Sequence, residues 1–278
     1  ILKNENLYGR TFSMDNQKLF PDGLIRLEIK EHAEDVRYKY SKKGLSDIFD
    51  ILSEDAFLLR MPLKTTEVSG FSTYFQDKFV VFLNSSFTLG HERYSGAHEL
   101  YHIIYNQEIL KNEKLLLDDP KTVEDKKADI FAAEFLMPED YVKEVFYKII
   151  NVKPDNVIEK HVIKMNNFFK VSYKAMLKRL VQLNLCERNK YQSLSEICSL
   201  ENADNLQLLT KKEGYDIKLI IPSYEKFIPK EYIEYIKTNY ESNRISFNNM
   251  KNCFNFIGMD PTDFGYDYPS EEEFWYEV

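Results

Sequence analysis

The chain has 278 residues, of which 44% are hydrophobic, 14% aromatic and 29% charged. That is enough apolar material for one large domain or a catalytic unit with an appendage, and too little length for several independent domains. A net charge of −8 excludes a general electrostatic attraction to nucleic acid or anionic membrane, so any such binding needs a local basic patch. No apolar run approaches the roughly 18 to 20 residues that span a bilayer. The chain opens without a charged-then-apolar leader, and Cys186, Cys198 and Cys253 show no CxxC spacing. A cytoplasmic protein with neither a disulfide framework nor a thiolate metal site is expected.

In chain order, residues 24–40 and 45–52 carry helical spacing broken by Lys42, Lys43 and Gly44, and Asp55 to Leu63 turns β-like. Gly70 to Phe75 and Lys78 to Leu83 predict a hairpin joined at Gln76 and Asp77. A buried central helix is expected from the N-cap candidate Thr88 to Asn106, with apolar residues on nearly all sides. After a loop marked by Asp118, Asp119 and Pro120, Thr122 and Asp125 have capping-box spacing. Ala128, Phe131, Ala132, Phe135 and Leu136 then recur with helical period up to Pro138. Further helices are predicted over 139–150, 157–169 and 173–183. An aromatic-rich segment from about Tyr191 carries a strand candidate, Ile217 to Ile221, and helices over 230–241 and 247–256.

His98, Glu99, Leu100, Tyr101 and His102 form an HExxH pentapeptide. With 5 His and 27 Glu in the chain, chance supplies roughly 0.01 copies, so coincidence is a poor explanation. Imidazoles at i and i+4 lie on one helical face and can share a zinc ion at about 2.0 to 2.1 Å. Glu99 lies about 100° round the helix from His98, placed to act as a general base rather than a ligand. The plainer reading, two core histidines and an ion-paired glutamate, would bury three polar groups at high cost. A catalytic zinc needs a third protein ligand. Glu124 and Asp125 both flank the buried face of the second helix while Asp129 lies farther round, and helical geometry does not choose between the first two. Each alone reads equally well as a dipole-favoured acid in a first turn.

Arg93 to Ala97 leading into the pentapeptide, together with Ala128, Asp129, Ile130, Phe131, Ala132, Ala133, Glu134, Phe135, Leu136, Met137 and Pro138, resembles the ImmA/IrrE metallo-endopeptidases, whose fold is similar to the thermolysin-like zincins. The resemblance covers roughly residues 24–185. Counted back from Pro138, it puts the family's zinc-binding glutamate on Asp125 and its supporting acid or amide on Asp129. The aspartate is one methylene shorter, with Glu124 as the substitute ligand. The resemblance implies Zn2+ as cofactor and a helix-turn-helix repressor of a mobile element, prophage or stress response as protein substrate. It also likens Phe79 to Leu83 to an edge strand on which an extended substrate could add, against the plain reading of a core strand.

Lys160, Lys164, Lys170, Lys174, Lys178, Arg179, Arg188 and Lys190 stand against one acid, Glu187, in a segment with helix-turn-helix character. A solvated helical face is the plainer reading, and DNA contact the rarer one. Tyr94, Tyr105 and His91 are near enough to the pentapeptide to be considered as oxyanion-stabilising groups, each with a structural role as the simpler account. The expected fold class is α+β: a zincin-like domain over 1–155 with a small mixed sheet, an HExxH helix and a second ligand helix, then a helix-turn-helix-like segment over 156–190 and a regulatory or partner-binding region over 191–278. The expected activity is zinc-dependent endopeptidase, with His98, His102 and Asp125 on the metal and Glu99 as base. The alternative is a non-proteolytic DNA- or partner-binding regulator, including an antitoxin-like component, on the same scaffold. No membrane association is expected.

Overall fold

The computed structural model describes residues 23–65, 67–75, 77–113, 115–117 and 122–268. Of the segments read above, residues 1–22, the turn residue Gln76 and the loop Asp118 to Pro120 lie outside the described residues. The elements run α1 (Gly23–Lys42), α2 (Ile48–Asp55), β1 (Phe57–Met61), β2 (Gly70–Phe75), β3 (Lys78–Asn84), α3 (Leu89–Tyr105), α4 (Gln107–Glu113), β4 (Leu115–Leu117), α5 (Val123–Leu136), α6 (Glu139–Ile149), α7 (Glu159–Phe169) and α8 (Tyr173–Gln182). After a short helical turn at Tyr191–Ser195 come α9 (Ala203–Lys212), α10 (Lys230–Glu241) and α11 (Phe247–Phe256). This is the α+β fold expected.

The four strands make one mixed sheet in the order β1-β3-β2-β4. β1 is parallel to β3, and β2 is antiparallel to both β3 and β4. The hairpin closes with Phe75 opposite Lys78, and Asp77 takes the positive φ of 61° that the tight turn needs. The edge-strand likeness of Phe79 to Leu83 is corrected. β3 has β1 on one side and β2 on the other, so its backbone groups are already paired and the plain core-strand reading holds.

Alternation along the strands sets the layers. Leu58, Val81 and Leu83 join the main core with Ala97 and Leu100 of α3, whereas Leu59, Met61 and Phe82 point the other way into a second cluster with Ile236, Phe247, Met250 and Phe254 of α10 and α11. The sheet is therefore a middle layer. On its first face α3 packs against β2 and β3, α5 packs on α3, and α1 packs on α5. Thr88 caps α3 as expected, accepting from the His91 amide. Asp47, not foreseen as a cap, opens α2 by accepting from Phe49 N and also holds Arg93 at 2.6 Å.

The turn between α7 and α8 forms where expected, with Lys170 in the left-handed region (φ 53°) and Ser172 capping Ala175. The N-terminus of α3 docks against this turn through Gly90, where an added Cβ would lie 2.4 Å from Ser172 N and 2.6 Å from Val171 C. Only hydrogen fits there. The solvated reading of the basic residues is corrected for two of them: Lys178 and Arg179 are buried at 8% and 2% exposure. Arg179 pairs with Glu134 at 2.7 Å and donates to the Met137 carbonyl at 3.0 Å. Lys164 pairs with Glu213, and Lys190 donates to the carbonyls of Asp155 and Val157.

The strand expected at Ile217 to Ile221 is a 3-10 turn, Lys218–Ile220. Asp216 accepts from Lys218 N at 2.9 Å, which bends the segment, and the Ile221 carbonyl accepts from Leu89 N at 3.0 Å. Its apolar residues serve the start of α3 instead of a sheet. Leu194, Cys198, Leu206 and Ile220 all enter the main core. The three cysteines are free, and among the described residues no helix is long and apolar enough to cross a membrane.

Candidate metal centre

One turn of α3 separates His98 from His102, and both are about 1% exposed. Asp125, in the first turn of α5, is 5% exposed and faces them. Thr122 accepts from Asp125 N at 3.1 Å, but the side-chain half of the expected capping box does not form, because the Asp125 carboxylate turns towards the histidines. The Nε2 atoms of His98 and His102 are 3.1 Å apart, and Asp125 Oδ1 lies 3.6 Å from the first and 3.2 Å from the second. Glu124, the substitute, is engaged elsewhere: it accepts from Asn106 at 2.8 Å and Lys127 at 2.9 Å. The way α5 docks on α3 therefore turns Asp125, and not Glu124, towards the two histidines.

The donor set suits a divalent cation. Ligand atoms about 2.0 to 2.1 Å from a tetrahedral zinc are about 3.3 Å from one another, in the range observed here. His98 Nδ1 is 3.0 Å from Asp129 Oδ1, which assigns the ring proton to Nδ1 and turns the Nε2 lone pair towards His102 and Asp125. Three acceptor-capable atoms then converge in a buried site. Burial pushes the Asp125 carboxyl up, but the two imidazoles beside it outweigh that and hold it well below the usual carboxylate range. A carboxylate in that state is ready to ligate.

Glu99 is fully buried on the sheet side of α3. Ser72 of β2 donates to its Oε2 at 2.6 Å, while Oε1 has no hydrogen-bond partner among the described residues. A Cβ at Gly70 would come within 3.4 Å of Oε1 and 3.0 Å of the Phe82 carbonyl. Sequence reading missed Ser72 and Gly70. The available signal was two small residues at i and i+2 of β2, on the face that meets α3. The polar groups considered near the pentapeptide have other contacts. Tyr94 donates to the Asp129 carbonyl at 2.8 Å, Tyr105 stacks on His32 at 4.3 Å, and His91 packs on Phe87 at 4.6 Å.

A small mixed sheet, a buried HExxH helix and a second helix delivering an acid define a zincin-like domain of metallopeptidase type. Residues 53–181 match the family model described as the IrrE N-terminal-like domain, Peptidase_M78. The match falls on the stretch whose motifs carry the resemblance, and further helices follow it. No match was found among curated proteins.

Proposed function

We propose that the protein is a zinc-dependent endopeptidase, with His98, His102 and Asp125 as the metal ligands and Glu99 as the general base. The observation that carries this reading is the convergence of two imidazole nitrogens and one carboxylate oxygen, next in the chain to a buried glutamate one of whose oxygens has no hydrogen-bond partner among the described residues. A zinc ion held there supplies Lewis acidity, polarising a scissile carbonyl and making a water easier to deprotonate. Asp129 holds the His98 ring in the tautomer that presents Nε2. Ser72 anchors Glu99 through Oε2 and so directs Oε1 at the proton it takes. The same oxygen then delivers that proton to the leaving amine, so Glu99 ends the cycle ionised.

The protein substrate is, by the family likeness, a helix-turn-helix repressor, and the setting cytoplasmic. The DNA-reading alternative loses its basis at Lys178 and Arg179, which face inward. The test is to incubate the zinc-loaded protein with the repressor encoded beside it, with and without a chelator. A discrete fragment is expected only without chelator, and Glu99→Gln should retain zinc while losing about 10²- to 10⁴-fold in cleavage rate. An intact repressor in every arm would reject the substrate assignment, and undiminished cleavage by the variant would reject Glu99 as base.

A further inference from the structure

A cleft between α3, α5 and α8 lies beyond Asp129 from the metal centre, sharing with it only that carboxylate among the residues given a role above. Arg26, Lys174 and Lys178 bring positive charge to it, and Asp129 is the carboxylate among the described residues that line it. Arg179 also reaches its wall but is neutralised by Glu134 at 2.7 Å. In a chain of net charge −8 this is a concentrated positive site. Asp129 in turn spends Oδ1 on His98 Nδ1. Lys178 is more than nine-tenths buried. Its burial lowers the ammonium pKa to about 7, against the pull of Asp129 and with the push of Lys174. A charge held out of water is stabilised most by a counter-ion that can enter beside it. The first turn of α8 adds the positive end of its backbone dipoles through Ser172 and Ala175.

The remaining wall is apolar and partly aromatic: Ile130, Ala133 and Met137 from α5 and its end, Tyr94 from α3, and Tyr191. Cationic groups at one part of a cleft and flat apolar surface at another select a ligand with the matching halves.

We propose that this cleft binds a small organic anion, a carboxylate or phosphate carried on an apolar or aromatic body, with Lys178 and Lys174 pairing the anionic group. The site is independent of the peptidase reading and would stand if that reading failed.

The experiment is titration calorimetry of the full chain with phenyl phosphate and with benzoate, which separates phosphate from carboxylate sources, and with phenol and inorganic phosphate as the two half-ligands. At least one aryl anion should bind with a Kd below about 1 mM, and phenol and inorganic phosphate at least about tenfold more weakly. Lys178→Met should weaken the bound anion by about tenfold or more, and Lys174→Gln, at a partly exposed position, by about threefold or more. No measurable binding of either aryl anion at about 10 mM would overturn the proposal. So would unchanged affinity in Lys174→Gln, or inorganic phosphate binding as tightly as phenyl phosphate.

Discussion

Asp125 stands where the family pattern places a glutamate, and the shorter side chain still reaches, with Oδ1 at 3.2 and 3.6 Å from the two imidazole nitrogens. Behind the proposed ligands, Asp129 fixes the His98 ring, so Asp129→Ala should cost about 10- to 100-fold in zinc affinity, read by competition with a chromophoric chelator. Unchanged affinity would remove Asp129 from the centre. Ser72→Ala frees Oε2 of Glu99, and cleavage should fall roughly tenfold, the rate equivalent of one hydrogen bond to a charged group, with zinc content unaltered. Equal loss of zinc and activity would make Ser72 structural instead. Lys178 allows a pH test. Its folded pKa of about 7 lies below the ordinary 10.5, so the burial penalty is full below about pH 7. Between about 7 and 10.5 the unfolded chain holds the proton that the folded chain has lost, and stability rises with pH. Lys178→Met should therefore be the more stable protein at pH 6, by up to a few kcal/mol, with the gain shrinking by pH 10. Paired urea melts decide it, and a pH-independent difference would show that Lys178 titrates normally.

At the scale of elements, β2 shows how a strand prepares a site. Its α3-facing positions are Gly70 and Ser72, opposite Leu83 and Val81, and the small side chains leave room for a carboxylate where the neighbouring strand fills space with hydrocarbon. Gly90 plays the corresponding part between helices. Its backbone is ordinary helix, so the requirement for glycine comes from the turn at Val171 and Ser172, not from φ. Gly90→Val should destabilise by about 2 kcal/mol or more through forced separation of α3 from α8, measured as a lower urea midpoint at unchanged slope. A neutral result would mean that the two elements do not meet there. The α7–turn–α8 unit has the outline of a DNA reader, yet Tyr173, Met176, Leu177 and Leu180 share the buried surface of α8 with Lys178 and Arg179. A helix that spends most of its circumference on a core has little left to offer a groove.

Over the whole molecule, the sheet is covered twice. Removing the residues after about 222 would uncover Leu59, Met61 and Phe82, which α10 and α11 bury, and the stretch from Tyr191 to Ile220 contributes to the main core. The full chain is therefore expected to unfold in one transition, with circular dichroism and calorimetry coincident. A separate early transition for the C-terminal helices would show that they form an independent unit.

Residues 98–102 determined by themselves that two imidazoles share a helical face, because i to i+4 geometry is local. The period of Ala128 to Leu136 likewise determined a second helix with acids at its start, and alternate apolar runs determined the hairpin. Whether Glu124 or Asp125 turned inward, which strand held Glu99, and which way Lys178 pointed were decided only by tertiary structure. Those outcomes depend on how helices and strands distant along the chain dock, and a few ångströms of docking decide which polar group finds a partner and which finds solvent. The same reason explains the lost strand at 217–221: its apolar residues were legible, but what they would pack against was not.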